Sequence, residues 1–127
     1  MGRIKIAIQK EGRLSESSLR LIEQIGASPE RGSRSFVIRC KKFPIDLLML
    51  RDDDIPNYVD SGACDFGIVG DNVLLESGIS LETLVKLPFG QCELALLADD
   101  SFQLDQLQTL NKRRIATSHP QILSQFL

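Results

Sequence analysis

The chain has few cysteine and histidine residues, which cross-link small folds through disulfides and bind metal ions. Its three cysteines, Cys40, Cys64 and Cys92, are widely spaced and odd in number. They form neither a metal-binding pair nor a disulfide framework, which favours a reducing cytoplasm. We interpret Cys40 and Cys64 as core residues. The single histidine, His119, is more typical of a loop residue than of a catalytic base.

An excess of basic charge is missing, and so are apolar runs of membrane length. The net charge is −2 and the sequence pI is about 5.4, so no broad basic surface predicts a nucleic-acid partner. No apolar run approaches the roughly 20 residues of a membrane span. The N-terminus begins directly with a strand pattern, and we therefore expect neither a secretion signal nor a membrane partner.

What the sequence does contain is an alternation of strand and helix patterns. Strands are predicted at 4–8, 36–40, 45–50, 65–69, 84–87, 93–98 and 114–117. Helices are predicted at 15–25, 54–61, 73–76, around 104–110 and from 120 onwards, with glycines such as Gly26 and Gly78 at their ends. The alternation predicts an α/β fold with a mostly parallel sheet, in which the strand 65–69 is buried on both faces.

The last residues predict a second structural unit. A helix that begins at Pro120 and reaches only Leu127 buries little surface, so we expect it to lack packing partners in the isolated chain. The polar run 99–101 follows a strand pattern and is the best candidate for a linker. We therefore predict one lobe at 1–98 and the start of a second lobe at 99–127.

The loop after the first predicted strand carries two cations. Lys10 and Arg13 flank Gly12 in the run 9–15, between a strand and a helix. Backbone N–H groups and the helix dipole favour anions there, and glycine permits a close backbone approach. The loop therefore suits a phosphate group. The alternative is an ordinary polar loop in which Ser15 caps the helix.

The run 51–54 places one arginine before three aspartates at the end of an apolar strand. Open α/β sheets have their ligand crevice at such strand ends. Arg51 suits a phosphate group, and one aspartate suits a ribose hydroxyl or a shared Mg²⁺ ion. The alternative is an Arg–Asp surface cluster with Asp54 as a helix cap.

The run 67–72 is the third candidate. Gly67 and Gly70 allow the backbone to approach a ligand, and the Asp71 carboxylate would accept hydrogen bonds from ribose hydroxyls while repelling phosphate. The alternative is that Asp71 only caps the following helix.

Hydroxyl groups mark a fourth candidate near the end of the chain. Thr117 and Ser118 lie between a predicted strand and a helix N-terminus, where they would be available to phosphate. Cys92 follows Gly90 and Gln91 and would line a pocket. It has no obvious base nearby in the sequence, so we interpret it as a packing or binding residue and not as a nucleophile.

Taken in order, these motifs resemble one enzyme family. The runs QKEGRLS, RDDDIPNYVDSGACDFGIVGDNVLLESG, FGQCEL and RIATSHP are similar to the N-terminal part of ATP phosphoribosyltransferases, over nearly all 127 residues. The first two runs are closer to the long, histidine-regulated form than to the short form, which needs a synthetase-like partner subunit.

The resemblance implies an activity and a fold. The family transfers the 5-phosphoribosyl group of 5-phosphoribosyl pyrophosphate (PRPP) to N1 of the adenine of ATP, with Mg²⁺, in the first step of histidine biosynthesis. It implies a two-lobed catalytic fold like the type II periplasmic binding proteins, with the site in the cleft between the lobes. Long members are inhibited by histidine and assemble as dimers and hexamers in the cytoplasm.

The resemblance also assigns roles to residues. Arg13, Arg34 and Arg51 would be catalytic, and the substrate-binding residues would be Lys10, Gly12, Asp53, Gly67, Gly70, Asp71, Cys92, Thr117 and Ser118. No residue is assigned as a metal ligand.

The sequence departs from the family pattern at its C-terminal side. The family's PRPP loop, an acidic pair leading into Thr-Gly-x-Thr-Leu, does not occur before Leu127, and neither does the regulatory domain. We therefore expect the 127-residue chain to be inactive alone. The alternative function is a two-lobed module that binds a small anion or a nucleotide without catalysis.

Overall fold

The computed structural model describes residues 2–30, 36–101 and 114–126. The elements, in chain order, are β1 (Ile4–Gln9), α1 (Arg13–Gln24), β2 (Val37–Arg39), β3 (Ile45–Leu50), a 3-10 turn (Asp52–Asp54), α2 (Ile55–Asp60), β4 (Phe66–Gly67), α3 (Asp71–Ser77) and α4 (Pro120–Phe126). The predicted α/β class is confirmed.

The strands form one sheet in the order β2-β3-β1-β4. β1 pairs in parallel with both β3 and β4, and β2 pairs with β3 in the antiparallel direction. The mostly parallel sheet is therefore confirmed, as is the placement of the apolar runs 4–8, 45–50 and 65–69 in it. Because β1, β3 and β4 are parallel, the loops that follow them leave from the same edge of the sheet.

The core lies on both faces of the sheet. On one face, Ile8, Leu47 and Met49 pack with Leu19 and Ile22 of α1. On the other face, smaller in extent, Ala7 packs with Ile55 of α2 and with Cys64. Successive residues of a strand point to opposite faces, so the apolar character of both Ala7 and Ile8 requires a helix on each side.

Two of the three cysteines belong to this core, as predicted. Cys40 and Cys64 are buried, and Cys92 is exposed. Burial raises the pKa of both the Cys40 and the Cys64 thiol, because the charged thiolate loses its hydration. Both thiols are therefore unreactive packing groups in the folded chain.

Helix α1 begins earlier than its sequence pattern predicts. Its first residue is Arg13, with Gly12 at the N-cap position in a left-handed conformation (φ 106°). The predicted cap, Ser15, instead donates its hydroxyl to the Lys10 carbonyl oxygen at 3.1 Å. Ser15 capping was therefore wrong, because the glycine already turns the chain into the helix. The predicted C-terminal glycine, Gly26, is confirmed with φ 93°.

Several predicted strands are not formed. The residues 84–87, 93–98 and 114–117 have no strand structure. β4 is only two residues long and exposed on an edge of the sheet, so the predicted burial of strand 65–69 on both faces was wrong. A strand is stable only where a neighbour accepts its hydrogen bonds, and no strand of the described residues lies beside these segments. Leu84, Val85 and Leu97 are consequently exposed. The predicted helix around 104–110 lies outside the described residues.

Replacing Ser18 with alanine should raise the stability of the fold. Ser18 is fully buried in α1, and its hydroxyl has no hydrogen-bond partner among the described residues. An unpaired buried hydroxyl costs about 1–3 kcal/mol, and alanine also favours a helix. We expect a gain of about 1 kcal/mol in the free energy of unfolding, measured by urea denaturation. Ser17→Ala, one residue earlier, is the control, and a loss of stability in Ser18→Ala would contradict the burial of an unpaired group.

Candidate functional site

A cleft lies where β1 and β3 end. It has a volume of about 270 Å³ and is lined by Gln9, Lys10, Glu11, Arg51 and Asp52. The backbone N–H of Lys10 donates to the carbonyl oxygen of Leu50 at 2.7 Å, which ties the two loops together. The parallel pairing of β1 with β3 thus brings Lys10 and Arg51, predicted separately, into one cleft.

Lys10 also contacts an aromatic ring that the sequence analysis did not assign to the site. Its ammonium nitrogen lies 4.8 Å from the centroid of the Phe36 ring, a cation–π distance. Phe36 is 63% exposed, and its backbone oxygen accepts from Met49 N–H at 2.7 Å. Only the antiparallel direction of β2 places Phe36 at the carboxyl end of β3, so the local sequence gave no signal for it.

Arg51 forms an exposed ion pair within its own loop. Its guanidinium nitrogen lies 3.7 Å from an Asp53 carboxylate oxygen, and both side chains are more than two-thirds exposed. Such a pair contributes less than about 1 kcal/mol, so both groups can exchange partners readily. Asp52 accepts from the backbone N–H of Asp53 at 2.8 Å. Asp54 occupies the cap position of α2 but makes no side-chain cap bond, so the predicted Asp54 cap was wrong.

Arg13 contacts a different loop. Its guanidinium donates to the carbonyl oxygen of Gly90 at 3.3 Å, and Leu14 fills the space that a side chain on Gly90 would need. Gly90 has a left-handed φ of 72°. The first turn of α1, with Gly12 before it, therefore holds the segment that leads to Cys92, which is exposed.

Gly67 and Gly70, the glycines of the third motif (residues 67–72), have packing roles. A Cβ on Gly67 would lie 2.7 Å from a methyl carbon of Ile55 and 3.0 Å from one of Val59, so glycine allows α2 to pack closely on β4. Gly70 is the N-cap residue of α3, and Asp71, predicted as the cap, is the first helical residue without a side-chain cap bond. The Asp71 carboxylate lies 3.8 Å from the Lys86 ammonium, in an exposed pair.

Residues 117–119 of the fourth motif (residues 117–120) form hydrogen bonds with one another. The Thr117 hydroxyl accepts from His119 N–H at 2.8 Å, and the Ser118 hydroxyl lies 2.9 Å from His119 Nδ1. The N-terminus of α4 is occupied by a carboxylate, because Gln121 N–H and Ile122 N–H both donate to Glu76 at 2.9 Å. The expectation that the last helix lacks packing partners was wrong, since α4 packs against α3.

The structure thus joins some of the predicted site residues and leaves others apart. Lys10 and Arg51 share the cleft, Gly12 and Arg13 begin the adjoining helix, and Arg34 lies outside the described residues. Within 2–30, 36–101 and 114–126, no group of three or more His, Cys, Asp or Glu side chains could hold a metal ion. No helix of this described part is long and apolar enough to cross a membrane.

Comparison with known proteins decides the family. The family model described as "HisG: ATP phosphoribosyltransferase" matches residues 51–127. The chain belongs to the ATP phosphoribosyltransferase family. An ATP phosphoribosyltransferase of Cytophaga hutchinsonii is 42% identical over 124 residues, which are 98% of this chain and 43% of that relative. One of Maricaulis maris is 39% identical over 131 residues, covering 98% of this chain and 45% of the relative.

The ATP phosphoribosyltransferase family is also represented by a similar solved structure. The "ATP phosphoribosyl transferase (HisG:HisZ) complex from Thermotoga maritima" contains a chain that is 36% identical with a TM-score of 0.59. The similarity covers 68% of this chain and 41% of the Thermotoga chain. The chain therefore spans less than half the length of these members of the ATP phosphoribosyltransferase family.

Proposed function

We propose that the protein carrying this chain transfers the 5-phosphoribosyl group of PRPP to N1 of the adenine of ATP. The bond from the anomeric carbon to pyrophosphate breaks, and a bond from that carbon to N1 forms. The observation that carries the proposal is the cleft of Lys10 and Arg51 at the carboxyl edge of the sheet, in a chain of the ATP phosphoribosyltransferase family. Two cations there suit substrates that carry phosphate groups.

The roles of the side chains follow from their charge and position. Lys10 and Arg51 bind phosphate oxygens in the cleft, and Arg13 assists from the first turn of α1. Arg34, outside the described residues, is assigned a catalytic role from the family. Asp53 and Asp71 accept hydrogen bonds from ribose hydroxyls or from water on Mg²⁺, since each forms an exposed and therefore weak ion pair that a substrate can replace. Gly12, Gly67 and Gly70 bring backbone near the substrate, and Cys92, Thr117 and Ser118 line the wall.

The chemistry needs charge and positioning more than it needs a base. Displacement at an anomeric carbon passes through a cation-like transition state while pyrophosphate leaves as an anion, so fixed cations stabilise the developing negative charge. N1 of adenine attacks through its own lone pair. The cleft accordingly contains lysine, arginine and carboxylates, and its lining has no histidine or cysteine.

Mg²⁺ is proposed to enter with the substrates. Mg²⁺ usually binds through one or two carboxylates together with substrate phosphates, and retains several waters. The exposed carboxylates of the 3-10 turn beside Arg51 fit that mode, whereas the described residues offer no cluster of three or more ligands. When bound, Mg²⁺ would neutralise charge on the leaving pyrophosphate.

The lobes, assembly and regulation are proposed from the family. We assign 1–98 to the first catalytic lobe and 99–127 to the start of the second, with the PRPP loop and a regulatory domain in the remaining length of the relatives. The match covers 41% of the Thermotoga chain with 68% of this chain, and 43% of the Cytophaga relative with 98% of this chain, so the Thermotoga chain is the shorter of the two. This chain is 42% identical to the longer protein and 36% identical to the shorter one, which supports the long form. The long form is inhibited by histidine, forms dimers and hexamers, and acts in the cytoplasm.

The test of the activity is pyrophosphate release. A protein of the curated relatives' length that contains this chain should release pyrophosphate when ATP and PRPP are both present with Mg²⁺, and not with either substrate alone. The 127-residue chain should release none, because a missing phosphate cradle removes several kcal/mol of transition-state stabilisation. Binding of ATP without any release by the longer protein would contradict the transferase and favour a binding module.

Arg13 provides a test of the first loop. We expect Arg13→Ala to lower kcat/KM about 30-fold, which is about 2 kcal/mol, because Arg13 both contacts phosphate and holds the Gly90 segment. The control is Arg20→Ala, which removes an exposed cation from the same helix. If Arg13→Ala stays within about twofold of the unchanged enzyme, the loop has no phosphate role.

A further inference from the structure

Two polar residues of α3 point at the segment that begins α4. Asn72 and Glu76 are four residues apart and therefore lie on the same face of the helix, one turn apart. Both make hydrogen bonds to residues more than 40 positions later in the chain. No other side chain of α3 makes a hydrogen bond to α4 or to residues 114–119 in the described part of the chain.

Glu76 makes the stronger of the two contacts. One carboxylate oxygen accepts from Gln121 N–H and the other from Ile122 N–H, each at 2.9 Å. These N–H groups belong to the first turn of α4, where no carbonyl of the helix itself can accept them. The negative carboxylate is also favoured by the positive end of the helix dipole. A single side chain thus satisfies two backbone donors across the fold.

Asn72 makes the second contact through the histidine. Its amide nitrogen lies 3.2 Å from His119 Nε2, and the amide donates to Nε2 in the tautomer that leaves this nitrogen without a proton. The other ring nitrogen, Nδ1, lies 2.9 Å from the Ser118 hydroxyl. His119 N–H in turn donates to Thr117. Asn72 is therefore connected through His119 to both hydroxyl residues of the fourth motif, Thr117 and Ser118.

Gly70 makes room for this arrangement. A Cβ on Gly70 would lie only 2.6 Å from the Asn72 side-chain oxygen. The backbone itself does not require glycine, because a φ of −71° is ordinary for alanine. An added methyl group would thus displace the Asn72 amide without straining the backbone. The α3 helix also contacts the 3-10 turn after Arg51, so it connects the cleft loop with the fourth motif.

We propose that Asn72 and Glu76 are positioning residues that hold the segment 117–122 against α3 and so present Thr117 and Ser118 to the substrate. The presentation of Thr117 and Ser118 to the substrate rests on the proposed function, because the substrate is the one assigned there. The docking of residues 117–122 on α3 does not depend on that function. We call these two contacts the latch: the Glu76 carboxylate binds backbone N–H groups of α4, and the Asn72 amide binds the His119 ring.

Hydrogen exchange tests the docking without any need for activity. In Glu76→Ala the protection of the Gln121 and Ile122 amides should fall about tenfold, since both lose a charge-assisted acceptor. Glu76→Gln keeps an acceptor oxygen and should give an intermediate loss. Glu82→Ala, which removes an exposed carboxylate from the segment after α3, is the control and should leave both amides unchanged. Unchanged protection in Glu76→Ala overturns the latch.

Kinetics of the full-length enzyme test the consequence for the substrate. If an undocked segment must dock again when substrate binds, the apparent KM rises in inverse proportion to the docked fraction, while kcat at saturation is preserved. We therefore expect Glu76→Ala to raise KM about tenfold with kcat within about twofold, and Glu76→Gln to recover part of the loss. Gly70→Ala should raise KM in the same direction by displacing Asn72.

The outcomes separate the two proposals. A KM in Glu76→Ala equal to that of Glu82→Ala overturns the positioning role, even where exchange confirms the docking. An enzyme that releases no pyrophosphate before any substitution overturns the proposed function, and hydrogen exchange at Gln121 and Ile122 then still decides the latch.

Discussion

Replacing Arg51 with alanine in the full-length enzyme is expected to lower kcat/KM about 150-fold, equivalent to about 3 kcal/mol of transition-state stabilisation. Arg51 lines the cleft, and its present partner, Asp53, is an exposed carboxylate 3.7 Å away that competes weakly for it. Its guanidinium is therefore available to a phosphate group, which it can bind through two parallel hydrogen bonds. The measurement is the initial rate of pyrophosphate release at limiting ATP and PRPP.

The matched control for this prediction is Arg39→Ala. Arg39 is an exposed arginine on β2, away from the carboxyl edge of β3. We expect its removal to change kcat/KM by less than about twofold, because it alters the net charge equally without touching the cleft. Equal losses in the two variants would mean that general charge, and not the position of Arg51, attracts the substrates.

Replacing Leu47 with alanine is expected to lower the free energy of unfolding by about 3–4 kcal/mol. Leu47 is fully buried at the centre of β3, between Ile6 of β1 and Ile38 of β2 in the strand register. Removing its side chain leaves a cavity in the larger of the two core clusters, and the paired strands on both sides prevent its collapse. Urea denaturation of the chain measures the loss.

Two further variants keep this prediction testable if Leu47→Ala does not fold. Leu47→Val removes less volume and should cost about 1 kcal/mol. Leu97→Ala removes a leucine that is 85% exposed and should be neutral within about 0.5 kcal/mol. A small loss for Leu47→Ala, comparable to that for Leu97→Ala, would place the core elsewhere.

Much of the sheet and of its flanking helices could be predicted from local pattern alone. The run 45–50 became β3 because its apolar residues are buried on one face and half-buried on the other. Gly26, Gly62 and Gly78 each follow a helix with a left-handed φ. By contrast, the strand patterns at 84–87 and 93–98 have the right residues and no neighbour among the described elements. Strand formation depends on a partner, and that information is not in the segment itself.

The candidate site was predictable in its parts more than in its contacts. Lys10 and Arg51 follow strands, which is enough to expect them at one edge of a parallel sheet. The contact of Arg13 with Gly90, and of Glu76 with α4, joins residues 77 and 45 positions apart, and no local pattern carries such pairings. In the structure Gly67 lies close to Ile55 and Val59, and Asp71 forms a surface ion pair with Lys86, while the substrate roles of Gly67 and Asp71 stay predictions.

The central claim is that the carboxyl edge of the sheet, at Lys10 and Arg51, is the phosphate-binding face. The most direct test is a titration of the chain with inorganic pyrophosphate, followed through the backbone amide resonances in NMR spectra. We predict that the largest shifts fall on residues 10–13 and 51–54 and vanish in a Lys10→Ala/Arg51→Ala double variant, while a Lys41→Ala/Arg39→Ala control retains them. Shifts confined to residues 88–92 or 117–122, unchanged by the double variant, would contradict the claim.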